Sequence, residues 1–326
     1  MLIVKSPESN PYFNIASEEY ILENFSEDVF MLYINEPSII VGRYQNTMSQ
    51  LNLDYVQKNK IKVVRRLTGG GAVFHDLGNL NFSFICQRQE EEERSFIRYT
   101  EPIIRYLKSL NVNAYLEGRN DLLIDGRKFS GNARLVTAEK VLQHGTLLFQ
   151  ARLSDLSQAL QASPLKFKDK AVKSIQSRVT NISEHLAKTL SVVDFEKGLV
   201  QFITGHYPDS TYYEFSAADM LAINNKVTEK YDTWEWNFGK SPQYNFTKTI
   251  RSKGGSLEFN LIVDNGMIRK CELQGDFFAC GDIDILERAL ENCKHEPEQV
   301  KKQLEKVPIS EILINIDIED IMEGLF

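Results

Sequence analysis

The segment RRLTGGGAVFHD, residues 65–76, constrains this chain more than any other stretch. Three consecutive glycines, Gly69, Gly70 and Gly71, contribute no side-chain packing and lose much conformational freedom on folding. A folded protein keeps such a run where the backbone bends sharply or where something approaches it closely. Two arginines, Arg65 and Arg66, precede it, so an anion is the expected visitor, phosphate first. The run is not a P-loop, because no Gly-Lys-Ser/Thr follows. Nor is it a dinucleotide fingerprint, because GxGxxG and a following helix are missing.

The surroundings of this loop read as interleaved strands and helices. Asn10-Pro11 opens a helix through Leu22, with proline in its first turn. Residues 29–34, 39–41, 61–66, 72–74 and 80–86 read as strands, with turn chemistry at 35–38 and at Gly78-Asn79. Residues 96–110 suit a helix that Pro102 should bend or start late. Asp125-Gly126 signals a hairpin that sets Ile124 opposite Arg127 and Leu123 opposite Lys128. Residues 143–149 form another strand, and 153–231 are mostly helical around a polar segment, 166–178. Trp234 to Pro242 reads as a domain end. Beyond it come a strand meander (244–250, 257–263 and 267–273, with a turn at Asn265-Gly266) and a helical finish from 282 to 326. The fold class expected is α/β (α+β): a mixed sheet with flanking helices, then a small α+β accessory unit. The boundaries expected are 1–242 and 243–326.

Composition excludes several classes. The 326 residues carry a net charge of −7, which argues against a nucleic-acid partner. No apolar run reaches the ~18 residues that span a membrane. The four cysteines, Cys86, Cys271, Cys280 and Cys293, form neither CxxC pairs nor a secreted disulfide pattern. No signal peptide is evident at the N-terminus. A cytoplasmic protein with reduced thiols is expected.

Four further features carry chemistry. Strand alternation is expected to put Lys128, Ser130 and Asn132 on one side, a polar stripe ending in a cation. The segments GRND (118–121) and SGNA (130–133) flank it with small, hydrogen-bonding residues. His75 and His144 read either as ligand contacts or as hydrogen-bonded structural histidines; no HxxxH or HExxH spacing supports zinc. Residues 168–181 concentrate cations in a polar stretch that suits a mobile anion-binding loop or a solvated linker.

Taken in order, RRLTGGGAVFHDLGN (65–79), GRNDLLIDGRKFSGNA (118–133), HGTLL (144–148), SRVTN (177–181) and WEWNFG (234–239) resemble single-chain bacterial lipoate–protein ligases over nearly the whole chain. The resemblance implies a catalytic fold shared with biotin–protein ligases and related to class II synthetase cores. It implies two steps: lipoate and ATP give lipoyl-AMP and pyrophosphate, and the lipoyl group then passes to a carrier lysine. The implied carriers are lipoyl domains of 2-oxoacid dehydrogenase complexes and the glycine-cleavage H protein. The implied ATP contacts are Arg66, Gly71, Ala72, Val73, Phe74 and Lys128. The implied lipoate contacts are Leu67, Thr68, Gly69, Gly70 and Lys128. His75, Asn79, Asp121, His144, Lys173 and Ser177 are further candidates, and Mg²⁺ is expected on ATP, with Asp121 or Asn79 as a possible protein ligand. Thr68 stands where many relatives have serine and keeps the hydroxyl. No role transfers to Arg134. No tightly bound prosthetic group is expected, and a monomer is.

Lys128 suits the first step physically. A carboxylate attacking an α-phosphate brings two anions together, and a compact ammonium between them offsets several kcal/mol of repulsion. The second step uses the carrier's amine, so the enzyme needs no nucleophile of its own. Two other readings stay open here. One is a same-fold octanoyl or lipoyl acyltransferase working through a cysteine. The other is a non-catalytic protein that binds lipoyl carriers.

Overall fold

The computed structural model describes residues 1–45, 47, 50–89, 96–160, 179–238, 246–264, 267–295 and 297–326. The turn at Asn265-Gly266, most of the polar loop with Lys173 and Ser177, and the 242/243 boundary lie outside those residues.

An eight-stranded mixed sheet organises the first two-thirds of the chain. Its strands in chain order are β1 (Leu2–Lys5), β2 (Val29–Ile34), β6 (Asn79–Gln87), β7 (Ala114–Glu117), β8 (Asp121–Ile124), β9 (Arg127–Val136), β10 (Lys140–Leu148) and β11 (Thr211–Tyr213). Their spatial order is β11-β1-β2-β6-β10-β9-β8-β7. β1 runs parallel to β2 and β11, and the remaining pairs are antiparallel. Parallel neighbours need a crossover, and helix α1 (Pro11–Asn24) supplies the one between β1 and β2. Asn10 caps α1 by accepting from the Tyr12 amide at 3.2 Å, and Pro11 takes the first helical position, as the sequence signalled.

The opposite face of the sheet is covered by α3 (Ile97–Ser109) and α5 (Val192–His206). Pro102 does not make α3 start late, one of the two effects expected of it; it lies inside the helix. Burial of Tyr99, Ile103, Tyr106 and Leu107 against Phe82 and Phe84 outweighs the ~3 kcal/mol that an interior proline costs.

A small sheet carries the glycine loop. Its strands are β3 (Ser38–Val41), β4 (Lys62–Arg65) and β5 (Val73–His75), with β3 in the middle. Helix α2 (Leu53–Lys58) connects β3 to its parallel neighbour β4. The chain must then pass from β4 to β5, on the other side of β3. Residues 66–72 make that passage, arching over the C-terminal end of β3. The approach is close enough that a Cβ on Gly42 would lie 1.9 Å from the Gly70 carbonyl oxygen.

The C-terminal unit is an antiparallel meander, β12 (Phe246–Ser252), β13 (Gly255–Asp264) and β14 (Met267–Gly275). Short helices between Ile283 and Leu325 cover it, and Leu257, Phe259, Leu273, Leu286, Leu304 and Ile321 form its separate core.

Candidate active site

Both arginines of the motif are buried, and both are spent on the backbone. Arg65 is 1% exposed, and its guanidinium donates to the carbonyls of Gly42, Arg43, Gln45, Trp236 and Asn237 at 2.7–3.3 Å. Arg66 donates to the Ile40, Gly69 and Gly71 carbonyls at 3.0, 2.6 and 2.9 Å, and through Nε to Thr68 Oγ1 at 2.9 Å. Burial pulls each guanidinium down to about 10, with the Glu18 carboxylate opposing that at Arg66, so both are cations near neutrality. The family resemblance implied that Arg66 contacts ATP. In this structure its fork instead folds the glycine loop around itself.

The loop is held from below by a buried relay. Thr68 Oγ1 lies 2.7 Å from His144 Nε2, and His144 Nδ1 lies 2.8 Å from the Glu18 carboxylate. Tyr33 donates to Glu18 at 3.0 Å, and Ser83 donates to it as well. Three donors on one buried carboxylate offset the several kcal/mol that an unpaired buried charge would cost. They also fix the histidine: Nδ1–H donates to Glu18, and Nε2 accepts from the Thr68 hydroxyl. Thr68 is fully buried and takes an arginine N–H, so its hydroxyl serves as a strut and not as a nucleophile. Glu18, Tyr33 and Ser83 escaped the sequence reading. The available signal was a carboxylate on the apolar stripe of α1, between Ile15 and Leu22.

Lys128 reaches this same side of the sheet by an irregularity. The hairpin register is as expected, Ile124 opposite Arg127 and Leu123 opposite Lys128. Leu122 then pairs with Ser130, so Phe129 is an extra residue, a β-bulge. Opposed residues share a face and neighbours do not. Lys128 therefore leaves the face of Ser130 and Asn132, and the expected three-residue polar stripe is not formed. Ser130 and Asn132 point with Leu122 and Ile124 into the core. Lys128 joins Asp121 and Gly131 on the face that His144, the partner of Ala133, also shares. Its ammonium pairs with Asp121 at 2.7 Å. The end of the polar loop returns to it: the Thr180 amide donates to the Lys128 carbonyl at 2.9 Å.

Other candidates fall into place around the loop. Gly71, Ala72 and Val73 are half-buried and Phe74 is buried. His75 Nδ1 accepts from Asn35 at 2.9 Å, while burial, then Arg66, depresses its pKa to about 3. It is therefore neutral with its proton on Nε2. That buried N–H and the buried Asn79 Oδ1 have no partner among the described residues. Buried polar atoms are rarely left so without a use. Arg134 lies on the core side, donating to Gln143 at 2.6 and 3.1 Å over the Phe96 ring.

The C-terminal unit closes over the loop. The Gly70 amide donates to the Phe277 carbonyl at 3.1 Å, Phe277 stacks on Tyr44 at 4.9 Å, and Arg119 lies 4.4 Å over the Phe278 ring. Gly69 faces the same carbonyl, and Gly70 adopts φ +91°, a left-handed backbone that favours glycine.

Comparison with known proteins gives this arrangement its family. The family model described as the lipoyl protein ligase A/B catalytic domain matches residues 10–204, and that of the bacterial lipoate protein ligase C-terminus matches 241–325. The chain belongs to the lipoate–protein ligases. The ligase is 39% identical to lipoate-protein ligase LplJ of Bacillus subtilis over 100% of both chains. Its fold is similar to that of P. falciparum LipL1 in complex with lipoate, with a TM-score of 0.80 and 26% identity over 99% of this chain and 97% of that one. It is also similar to a lipoate-protein ligase A bound with ATP, with a TM-score of 0.62 and 25% identity over 73% of this chain and 97% of that one.

Proposed function

We propose that this ligase activates lipoate with MgATP to lipoyl-AMP and passes the lipoyl group to a lysine of a carrier domain. The carriers are lipoyl domains of 2-oxoacid dehydrogenase subunits and the glycine-cleavage H protein. One observation carries the residue assignment. The β9 bulge turns the Lys128 ammonium onto the sheet face that also holds His144 and Thr146, and His144 in turn braces the glycine loop.

Lys128 bridges the lipoate carboxylate and the α-phosphate, lowering the repulsion between them as the mixed anhydride forms. Leu67, Thr68, Gly69 and Gly70 line the lipoyl side. Gly71, Ala72, Val73 and Phe74 offer backbone to the nucleotide. Arg66 shapes that backbone and adds its charge from beneath. The His75 N–H and the Asn79 side-chain carbonyl oxygen, both buried without partners among the described residues, suit a phosphate oxygen and a magnesium ion riding on ATP, respectively. Lys173 and Ser177, outside the described residues, are further candidate contacts of the adenylate. The protein divides into a catalytic domain, 1–242, and an accessory domain, 243–326, and works as a cytoplasmic monomer. No helix among the described residues is long and apolar enough to cross a membrane.

A cysteine-dependent acyl transfer finds no support at Cys86. Its thiol is buried in the core, and burial pushes it up to about 12, leaving no thiolate near neutrality. Lipoate-dependent pyrophosphate release from ATP tests the proposal. Lys128→Ala is expected to lower it about a hundredfold or more; an undiminished yield of lipoyl-AMP would refute the role of Lys128.

A further inference from the structure

We infer that Gly131 and Asp121 are positioning residues for the Lys128 ammonium, an inference that rests on the role proposed for Lys128 above. The bulge selects the face, but it does not say where along that face the amine comes to rest. Gly131 does. The lysine side chain lies back across the strand, over bare backbone. A Cβ at residue 131 would stand 3.0 Å from Nζ and 3.1 Å from Cε. The backbone there has little freedom to withdraw. Gly131 is paired with Asp121 across β8, and its amide donates to Thr146 Oγ1 at 3.2 Å. The flexible partner in that contact is the lysine, so an added carbon moves the amine and spares the fold.

Asp121 supplies the other half of the placement. It is the register partner of Gly131, so its carboxylate stands beyond the bare strand, 2.7 Å from Nζ. The two side chains are 37% and 39% exposed, and ion pairs of that kind are weak. Asp121 therefore parks the cation without holding it. An incoming phosphate of greater charge takes the carboxylate's place, and the ammonium stays countered throughout.

Three variants of the full chain, Gly131→Ala, Asp121→Asn and Lys128→Ala, test this with lipoate, MgATP, pyrophosphate release and equilibrium ATP binding. Gly131→Ala should keep the thermal midpoint and the KM for ATP, while kcat falls about ten- to a hundredfold. Asp121→Asn should tighten ATP binding about two- to fivefold and steepen its dependence on salt, because salt no longer weakens a competing ion pair. A wild-type kcat in Gly131→Ala, with Lys128→Ala inactive, overturns the positioning role and leaves the role of Lys128 standing. Weaker ATP binding in Asp121→Asn, with a raised magnesium requirement, makes Asp121 a metal ligand and overturns the parking role. Full activity in Lys128→Ala removes the reading beneath both. Should Gly131→Ala fail to fold, Asp121→Asn decides alone: unchanged ATP affinity and salt dependence overturn the proposal.

Discussion

The Gly70 amide and the Phe277 carbonyl meet at 3.1 Å, so the loop proposed to receive two ligands is capped by main chain from the C-terminal unit. That one contact makes the glycine run a docking surface as well as a binding surface. A side chain at residue 69 would meet the same carbonyl at 2.3 Å, and backbone does not yield as a flexible side chain does. Gly69→Ala is expected to push the C-terminal unit off the loop at a cost of about 1–3 kcal/mol. Hydrogen exchange reads this directly: the Gly70 amide should lose protection. Retained protection would mean that the two units tolerate the extra carbon.

The relay from Glu18 through His144 to Thr68 predicts strong coupling. Glu18→Ala leaves two hydroxyls and an imidazole N–H without their acceptor, and should destabilise the protein by about 3 kcal/mol or more. His144→Ala removes the same link from the other end. Urea unfolding of the two single variants and the double variant should show non-additivity of about 1–3 kcal/mol. Additive losses would show that Glu18 and His144 do not act as one unit.

His75 makes stability depend on acidity. Folded, its pKa lies at about 3; unfolded, it returns near 6.5. Between those values the unfolded chain binds the extra proton, so the imidazole's contribution declines as pH falls from ~6.5 towards ~3. The upper bound is about 5 kcal/mol. Urea midpoints for His75→Asn should vary less than those of the parent between pH 6.5 and pH 4. Asp219, held down at about 2 by Tyr20, Tyr213 and Ser216 against a burial penalty that raises it, adds loss of the same sign only at lower pH, below the ordinary carboxylate range. Identical pH profiles for variant and parent would rule out the His75 contribution.

Cys86→Ser should leave ATP-dependent ligation intact while costing about 1–2 kcal/mol of stability, because a hydroxyl replaces a thiol packed in an apolar core. Loss of ligation in a variant that still folds would reopen acyl transfer through the thiol.

Much of this architecture is legible from residue order alone. Asp125-Gly126 dictates the hairpin register, and Pro11 behind Asn10 dictates a helix start. The bulge at Phe129 is not legible, because no glycine or proline marks it and the apolar alternation runs smoothly through it. That single extra residue reversed the expected side of Ser130 and Asn132. Strands β1, β7 and β11, of three or four residues each, are too short to show a period and exist through their neighbours. The acceptors of the two arginines were not legible either. A guanidinium satisfies carbonyl oxygens as readily as phosphate oxygens, and only the fold decides which acceptors are within reach.

Arg65 ties residues 42–45 to the Trp236 and Asn237 carbonyls, and thereby fixes the point from which the chain departs for the C-terminal unit. Nine peptide bonds along the sequence separate Asn237 from Phe246. The contact between Gly70 and Phe277 is therefore intramolecular, and its formation does not depend on protein concentration.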